Sequence, residues 1–414
     1  MDESVMKLWA RMKDRRKFWL PPTILVMLLL GELIVTIIVF DCVAYFVMPV
    51  SMYALFPDYG QPLAQVGGRG LYPQNYFAAH DERGFEIGKN RSGSHFVMDF
   101  GSYKIWSNSL GCFDTNEPNK LNTGEFIYLA GDSWTWGYAP YENKFGTLLE
   151  SKLTLPVLKC GVTHSGQRHQ FAKFKEITES LGRYPRLVVI NYADNDVAND
   201  YAYPHSTVVE GWLVDKVRLN EKEEIVRIDE ETLRNEIKKR LARRVNLGDY
   251  ARAYSLSCNI LTGIYRKLTG IYGKETSAPL NMRLEPGKRL KSIYELTAVT
   301  GGIYSYDNQY AQPNKDVLAL WHGHAKQYNY VLIVSLIPPR AHVSKDYYRE
   351  LEQFLREQDI PFVNFTDYII RNKMRPDGMY STNDAHFNKD GNRQYASFLL
   401  SVIQEAIVPT PPPN

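Results

Sequence analysis

One serine in this chain has the neighbours expected of a catalytic nucleophile. Ser133 stands in Gly131-Asp132-Ser133, directly after the apolar run 126–130. Gly131 permits a tight turn, so the Ser133 hydroxyl can project from the end of a strand. A serine hydroxyl is a poor nucleophile at neutral pH and needs a general base beside it. The triplet alone is a weak signal, because chance gives one in roughly one chain in twenty at average composition. Its position after an apolar run strengthens the catalytic interpretation.

The best candidate for that base lies near the other end of the chain. His386 stands in Asp384-Ala385-His386, and residues two apart in an extended segment point to the same side. Asp384 can therefore orient the imidazole of His386 and stabilise its charged form. Asn388 is placed to cap a following helix. An isolated Asp-x-His is usually a surface loop, but the serine motif favours the catalytic interpretation.

Two further segments could stabilise the negative charge that acyl transfer creates. Asn195, within 191–196, follows another apolar run, and its amide could donate to an oxyanion. Ordinary turn chemistry explains the same residues equally simply. The glycine-containing loop 161–166 could turn a backbone N–H towards the serine.

Alternating strands and helices must position these groups. Five apolar runs without polar alternation predict buried strands, at 126–130, 156–160, 186–191, 330–336 and 361–365. Helical patterns separate or follow them, at 144–153, 170–181, 317–327, 346–358 and 388–406. This alternation predicts a parallel sheet between two helical layers. Ligands of such sheets bind at the carboxyl ends of the strands, where Ser133 and Asn195 would lie.

The remaining segments predict additional parts. Residues 51–120 are rich in Gly, Tyr, Asn and Asp and predict an extension of loops and short strands. The third and fourth runs are too far apart for a simple crossover, so a helical insertion is expected at about 200–310, within a domain at 121–407. Its amphipathic helix 229–245 ends in a cluster of basic residues. This helix is either simply solvated or a contact for lipid headgroups or an anionic polymer. A proline-rich tail, 408–414, ends the chain.

Residues 21–50 are apolar enough to cross a bilayer, and this segment is the expected contact with the membrane. Glu32 interrupts it, but the surrounding apolar residues outweigh one carboxyl. The basic tail 1–20 predicts a cytoplasmic N-terminus, which places the following domain in the periplasm or outside the cell. A cleaved signal is the alternative, yet the bulky residues around Asp41 do not suit a cleavage site.

Composition narrows the function classes. The chain has 49 Lys+Arg against 46 Asp+Glu and a formal charge of +3, so no electrostatic argument favours nucleic acid as the partner. Aromatic residues make up 13%, which excludes wholesale disorder. The four cysteines form no C-x-x-C pair, and a Cys112–Cys160 disulfide cannot be argued from spacing.

Several other residues have competing interpretations. His322 and His324 would point to different sides of a helix, so no metal site is expected from them. Trp134 and Trp136 could form a wall for sugar stacking or could pack under the first helix. His164 and His169 could line the site or pack within the core.

Four motifs in this order resemble those of the SGNH (GDSL-type) hydrolase superfamily, and they cover about residues 80–407 apart from the insertion. Gly131-Asp132-Ser133 resembles block one, Asn195-Asp196 block three, and Asp384-x-His386 with Asn388 and Gly391 block five. Residues 108–114 are similar to a segment that precedes block one in membrane-anchored bacterial relatives. Block two departs from the family's Asn-x-Gly-x-x-Gly, so its donor would be Gly166 after a one-residue shift, or otherwise His164.

The resemblance implies a three-layer α/β/α fold with a flavodoxin-like parallel five-stranded sheet, to which the sequence pattern adds the helical insertion and an N-terminal transmembrane helix. It also implies a serine esterase with Ser133, His386 and Asp384 as catalytic residues. Ser133, Gly166 and Asn195 would form the oxyanion hole, without a cofactor or metal.

The substrate implied is an O-acyl ester, O-acetyl in the first instance, of a cell-surface glycan or lipid. An O-acyltransferase working with a membrane acyl-donor protein is the alternative, and a non-catalytic assembly protein is the second.

Overall fold

The computed structural model describes residues 22–47, 72–97, 99–122, 124–242, 247–269, 283–285, 288–296, 299–300, 303–381 and 386–407. The predicted basic tail, the proline-rich tail and Asp384 lie outside these residues. The chain divides into two compact units, residues 1–63 with 246–273, and residues 64–245 with 274–414.

The helices, numbered in chain order, are α1 (Pro22–Val47), α2 (Pro118–Leu121), α3 (Ser133–Trp136), α4 (Phe145–Glu150), α5 (Gln167–Leu181), α6 (Asp196–Tyr201), α7 (Glu230–Ala242), α8 (Leu247–Tyr254), α9 (Leu256–Thr269), α10 (Gln312–Tyr328), α11 (Arg349–Glu357), α12 (Phe365–Arg371) and α13 (Lys389–Ile407).

The strands are β1 (Phe77–His80), β2 (Gly84–Ile87), β3 (Ser92–Val97), β4 (Gly101–Trp106), β5 (Ile127–Gly131), β6 (Val157–Lys159), β7 (Leu187–Tyr192), β8 (Ser206–Val209), β9 (Trp212–Asp215), β10 (Val217–Leu219), β11 (Ile225–Arg227), β12 (Arg283–Glu285), β13 (Lys288–Arg289), β14 (Val299–Thr300), β15 (Ile303–Tyr304), β16 (Val331–Leu336) and β17 (Phe362–Asn364).

A five-stranded sheet forms the centre of the larger unit, with the strand order β17-β16-β7-β5-β6. Each neighbouring pair is parallel. In order along the chain this is a 2-1-3-4-5 sheet, the flavodoxin-like arrangement, and its switch point lies between β5 and β7. The five predicted strands and the parallel sheet are confirmed.

Both faces of the sheet are buried, which explains why the strands lack polar alternation. Tyr128 on β5 packs in one core with Phe174 of α5 and Trp321 of α10. Its neighbour Leu129 faces the opposite core, which contains Leu399 of α13. The helices predicted from sequence are confirmed, and the fold has the three expected layers. The fifth apolar run ends earlier than predicted, because Asn364 caps α12 by accepting the backbone N–H of Thr366 at 2.9 Å.

The insertion between β7 and β16 contains strands as well as helices. Two antiparallel hairpins, β8–β9 and β10–β11, precede the predicted amphipathic helix α7. Val209 of β8 packs with Leu233 and Ile237 of α7, so the first part of that helix's apolar face is buried, whereas Leu241 is 55% exposed. Sequence periodicity missed these strands because each has only three or four residues.

Two antiparallel hairpins, β1–β2 and β3–β4, form the described part of the N-terminal extension. Phe77, Phe85 and Ile105 from these strands pack against Trp136 of α3. Cys112, just after the second hairpin, forms a disulfide with Cys160 at the end of β6. The extension is therefore fastened to the end of the sheet that carries Ser133.

The smaller unit contains α1, α8 and α9. Helix α1 has 26 residues, and its segment Val26–Ala44 is long and apolar enough to cross a membrane. A signal sequence shares that length and composition, so the role of α1 as an anchor stays a prediction. Its apolar side chains are exposed, as is required of a surface that faces lipid.

Candidate active site

Ser133 and His386 meet although 253 residues separate them in the chain. Ser133 Oγ lies 2.7 Å from His386 Nε2, which is a hydrogen-bond distance. The serine follows β5 at the carboxyl edge of the sheet, and the histidine lies just before α13. Both side chains are half-buried, so an acyl group can reach them from solvent.

Local backbone geometry presents the serine. Gly131 has a φ of +149°, and a Cβ there would lie 2.1 Å from Thr135 Oγ1, so glycine is required. The carboxylate of Asp132 accepts the backbone N–H of Trp134 at 2.9 Å and thereby caps α3. Ser133 is the first residue of that short helix, which exposes its hydroxyl and its N–H together.

A buried chain of hydrogen bonds connects the elements that carry the two residues. Tyr395 of α13 donates its hydroxyl to Asn191 Oδ1 at 2.8 Å. Asn191 Nδ2 donates to the carbonyl of Ala130 at 3.0 Å, two residues before Asp132. Helix α13 begins where Asn388 accepts the N–H groups of Asp390 and Gly391, so the predicted cap is confirmed. These contacts fix the segment of His386 against the end of β5.

The strand order and the contact between Ser133 and His386 agree with the expectations from sequence. The serine lies directly after the first strand of the sheet, beside the switch point, and the histidine lies just before the last helix. The predicted flavodoxin-like α/β fold is confirmed. The two residues lie where the resemblance to SGNH hydrolases predicts a nucleophile and its base.

Solved structures of similar fold include a lipolytic protein of the G-D-S-L family from Desulfitobacterium hafniense, with 12% identity over 67% of this chain and 99% of that chain and a TM-score of 0.34. A lipase/acylhydrolase from Enterococcus faecalis has 11% identity over 70% of this chain and 100% of its own, with a TM-score of 0.33. An acetylxylan esterase from Geobacillus stearothermophilus has 12% identity over 69% of this chain and 96% of its own, with a TM-score of 0.33.

Comparison with protein-family models finds no match, and neither does comparison with curated protein sequences. At these identities and TM-scores the comparison assigns no role to any residue of this chain. The site is therefore described from its own side chains.

Two aromatic rings hold the imidazole of His386. The ring of Tyr138 stacks on it with centroids 4.1 Å apart, and that of Trp134 lies 4.9 Å away on a tilted plane. Trp134 is 7% exposed and Trp136 is fully buried, so the suggested sugar-stacking wall is wrong for both residues. They pack in the core, the alternative considered from sequence. Sequence reasoning missed Tyr138, because stacking on a distant histidine leaves no local pattern.

Asn195 follows the carboxyl end of β7 and contacts Asp132, the residue before the serine. It forms a side-chain hydrogen bond to the buried carboxyl of Asp132. Burial raises the pKa of Asp132, and its hydrogen bonds with Trp134, Asn195 and Ser133 together with the charge of His386 oppose that rise. A carboxamide has two N–H groups, so this bond leaves a second donor. The neighbouring Asp196 is buried and accepts from the side chain of Gln167, which joins the block-three and block-two loops.

The block-two loop turns at His164 rather than at Gly166. His164 has a φ of 58°, a left-handed conformation that usually favours glycine. Gly166 has an extended backbone, and a Cβ there would lie 2.4 Å from the carboxylate of Asp200. Of the two alternatives stated for this loop, the structure gives the glycine-like conformation to His164. Which N–H faces the serine stays a proposal.

The side chain of His164 points towards a polar cluster. Its Nδ1 lies 3.9 Å from Asp215 Oδ1, and His205 joins the same group, with ligand atoms within 4.8 Å of one another. This spacing could hold a metal ion. Arg218 lies 3.9 Å from the same carboxylate, however, and its charge competes with any cation there. We therefore interpret the cluster as an ion-pair network that supports the loop.

The other histidines considered from sequence have structural partners. His169 is buried against the ring of Phe85, with centroids 4.8 Å apart, and burial lowers the pKa of His169. His324 Nδ1 lies 3.0 Å from the hydroxyl of Tyr330. His322 occupies the same helix two residues earlier, so the two imidazoles do not converge.

Tyr72 and His95 of the N-terminal extension and Tyr138 of the loop after α3 are half-buried and contact one another, and Tyr138 stacks on His386. Tyr72 and His95 stack, with centroids 5.5 Å apart. The hydroxyl of Tyr72 contacts that of Tyr138 and lies 2.6 Å from Thr163 Oγ1. The N-terminal extension therefore places two aromatic rings, those of Tyr72 and His95, against the tyrosine that stacks on His386. We call these rings the rim of the site; sequence analysis did not predict them.

Proposed function

We propose that this protein is a membrane-anchored serine esterase that removes O-acyl groups, O-acetyl in the first instance, from a cell-surface glycan or lipid. The observation that carries the proposal is the 2.7 Å distance between Ser133 Oγ and His386 Nε2 at the carboxyl edge of the sheet. A serine paired with an imidazole in this way is activated for attack on a carbonyl.

In the mechanism we infer, Ser133 Oγ attacks the acyl carbonyl carbon and its proton passes to His386 Nε2. The tetrahedral intermediate then collapses, the ester C–O bond breaks, and the imidazolium protonates the leaving alkoxide. Water attacks the acyl-enzyme with His386 again as the base, and this step releases the carboxylic acid and restores Ser133. Asp384 is the proposed partner that orients the imidazole.

The developing oxyanion needs preorganised donors. We assign this role to the N–H of Ser133 at the start of α3, to the amide of Asn195 and to one N–H of the block-two loop. The left-handed backbone at His164 supports its N–H as the third donor, in preference to that of Gly166. Each donor lost from such a site typically lowers kcat by about 100-fold or more.

An exterior location is part of the proposal. The apolar helix α1 follows a basic N-terminal segment, which predicts a cytoplasmic N-terminus and an exported catalytic domain. The disulfide between Cys112 and Cys160 supports an oxidising compartment, since cytosolic thiols are kept reduced.

A hydroxyl-rich substrate suits the rim of the site. Tyr72 and Tyr138 are half-buried, so part of each amphipathic side chain is accessible to solvent. Sugar rings present C–H faces and hydroxyls, which suit contact with amphipathic aromatic side chains. This chemistry supports a glycan ester over a simple lipid ester.

The test uses full-length protein in detergent, a fluorophosphonate probe and an aryl acetate. We expect probe labelling and acetate release by the wild type, and loss of both in Ser133→Ala. His386→Ala should slow labelling by about 1,000-fold, because the serine loses its base. Ser151→Ala is the matched control, since that exposed hydroxyl hydrogen-bonds only to its own helix in the described contacts. Undiminished labelling of His386→Ala would remove the histidine from the mechanism.

The same assay separates the alternatives when acetylated and free oligosaccharides are added. Acetate release alone supports the esterase. Acetyl groups that appear on the free oligosaccharide would instead support an O-acyltransferase, in which a sugar hydroxyl replaces water and a membrane acyl-donor protein is a partner. Absence of Ser133 labelling in folded protein would favour a non-catalytic assembly protein.

A further inference from the structure

We propose that α8 and α9 form a second membrane-contacting element, which lies in the outer interface of the lipid bilayer beside the end of α1. This inference rests on the proposed anchoring of α1 and adds a lipid-binding surface to it. The surface lies within the insertion of the catalytic domain, so the chain returns to the membrane some 200 residues after leaving it.

A polar contact joins α9 to α1. The backbone N–H of Ser257, in the first turn of α9, donates to Asp41 Oδ1 of α1 at 2.9 Å. Ser255 caps the same helix by accepting the N–H of Cys258 at 3.0 Å. The first turn of a helix has N–H groups without partners inside the helix and a partial positive charge, so a carboxylate is favoured there. The carboxylate of Asp41, whose transfer from water to the edge of an apolar span is unfavourable, thus has a defined hydrogen-bond partner.

The contact is confined to the C-terminal end of α1. Asp41 is half-buried and Ala44 is 8% exposed, whereas Leu30, Ile34 and Ile37 remain 53%, 56% and 37% exposed. Helix α9 has 14 residues and is therefore about 21 Å long. A helix of this length packed alongside α1 would cover several turns of it, but the side chains before Asp41 remain exposed. We infer that α9 crosses α1 only near its C-terminal end, where the span ends.

Both helices expose an apolar face next to this contact. The exposed side chains follow helical spacing on each helix: Leu247 at 88%, Tyr250 at 50%, Tyr254 at 43%, Ile260 at 37%, Leu261 at 64% and Ile264 at 51%. The opposite positions Asp249, Ala253 and Leu256 are buried. Single exposed apolar residues are ordinary, but a continuous row on two adjacent helices marks an interface.

The bilayer is the occupant that this placement favours. The row is continuous with a helix that itself faces lipid, and it lies at the level of the outer interface. Two of its members are tyrosines, whose apolar rings and hydroxyls suit the headgroup boundary. Amphipathic helices of this kind lie in the plane of the interface with their apolar face about 5–10 Å deep.

Depth-dependent quenching in liposomes tests the proposal. The full-length chain carries Cys42→Ser and Cys258→Ser, which remove the two free cysteines among the described residues. A single new thiol, introduced by Leu261→Cys, is then labelled with a polarity-sensitive fluorophore. Matched labels at Ile34, about 15 Å along α1 from Ala44, and at the 94% exposed Asp307 serve as controls. The lipids carry a nitroxide either near the head or near the end of the acyl chain.

We expect the Leu261 label to lose emission about two-fold with the nitroxide near the head, and less with the nitroxide near the chain end. The Ile34 label should show the reverse order, and the Asp307 label should be unaffected. If Ile34 is quenched while Leu261 behaves like Asp307, the lipid contact of α8–α9 is wrong although the anchor stands. If Ile34 is also unquenched, the anchor itself fails. Retained fluorophosphonate labelling of each variant shows that it is folded.

Discussion

The ring of Tyr138 lies almost parallel to the imidazole of His386, with centroids 4.1 Å apart and an interplanar angle of 15°. Tyr138 follows the nucleophile by only five residues, so the loop after Ser133 supports the base that serves it. A misplacement of about 1 Å in a catalytic group can cost about 100-fold in rate.

We therefore expect Tyr138→Ala to lower kcat on an aryl acetate by about ten-fold with little change in KM, because the imidazole loses one of its two flanking rings. Tyr138→Phe is the matched control. It keeps the stacked ring and removes only the hydroxyl that contacts Tyr72. Equal losses in the two variants would assign the effect to the hydroxyl and contradict a positioning role for the ring.

The left-handed backbone of His164 gives a second prediction. Replacement by glycine relieves the unfavourable φ, whereas replacement by alanine removes the same imidazole and keeps the unfavourable backbone. His164→Gly should therefore be more stable to unfolding than His164→Ala by about 1 kcal/mol. Urea denaturation of the two proteins measures the difference.

Activity of the same pair tests whether the imidazole of His164 contributes to catalysis besides the backbone N–H. Both variants retain the N–H at position 164, so the glycine variant should keep kcat within about ten-fold of wild type, against the 100-fold or greater loss expected when a donor is removed. A larger loss in the glycine variant would mean that the imidazole itself contributes, through its contact with Asp215.

Buried His205 predicts a pH dependence of stability. Burial lowers its pKa from 6.5 to about 4; the nearby Asp215 opposes the shift, and His164 and Lys216 add to it. Between these values the unfolded chain binds a proton that the folded protein does not bind. The free energy of unfolding should therefore be greatest above pH 6.5 and should fall, by up to about 3 kcal/mol, as the pH decreases through 4.

His205→Gln keeps a donor for the backbone bond to Asn199 but cannot titrate. We expect its unfolding free energy, measured from about pH 7 to about pH 4.5, to fall less steeply than that of wild type, by the equivalent of about one proton. Identical slopes for the two proteins would show that other groups cause the acid sensitivity.

The disulfide between Cys112 and Cys160 spans 48 residues. Loss of a cross-link of this length raises the entropy of the unfolded chain and should lower the free energy of unfolding by about 4 kcal/mol. The double variant Cys112→Ser with Cys160→Ser should therefore melt earlier than wild type. Cys258→Ser, which removes a free cysteine, is the control. A reductant that leaves the melting temperature of wild type unchanged would contradict the prediction.

Local patterns in the sequence account for most of the fold. Five apolar runs predicted the five strands, and the helical spacing between them predicted the covering layers. These elements can be recognised because burial on both faces demands apolar side chains at consecutive positions. The short hairpins of the insertion could not be recognised in this way, since three or four residues are too few to define a period.

The amino-acid sequence by itself determined the layered α/β architecture, the candidate span and the identity of Ser133 and His386. Each of these follows from the periodicity of apolar side chains or from short motifs, both of which can be recognised from neighbouring residues. Only the tertiary structure decided that Trp134 and Trp136 are buried, that Cys112 bonds to Cys160 and that Tyr138 stacks on the histidine. Such contacts join residues distant in the chain. They depend on how whole elements pack, and that information is spread over the complete core rather than held in any one segment.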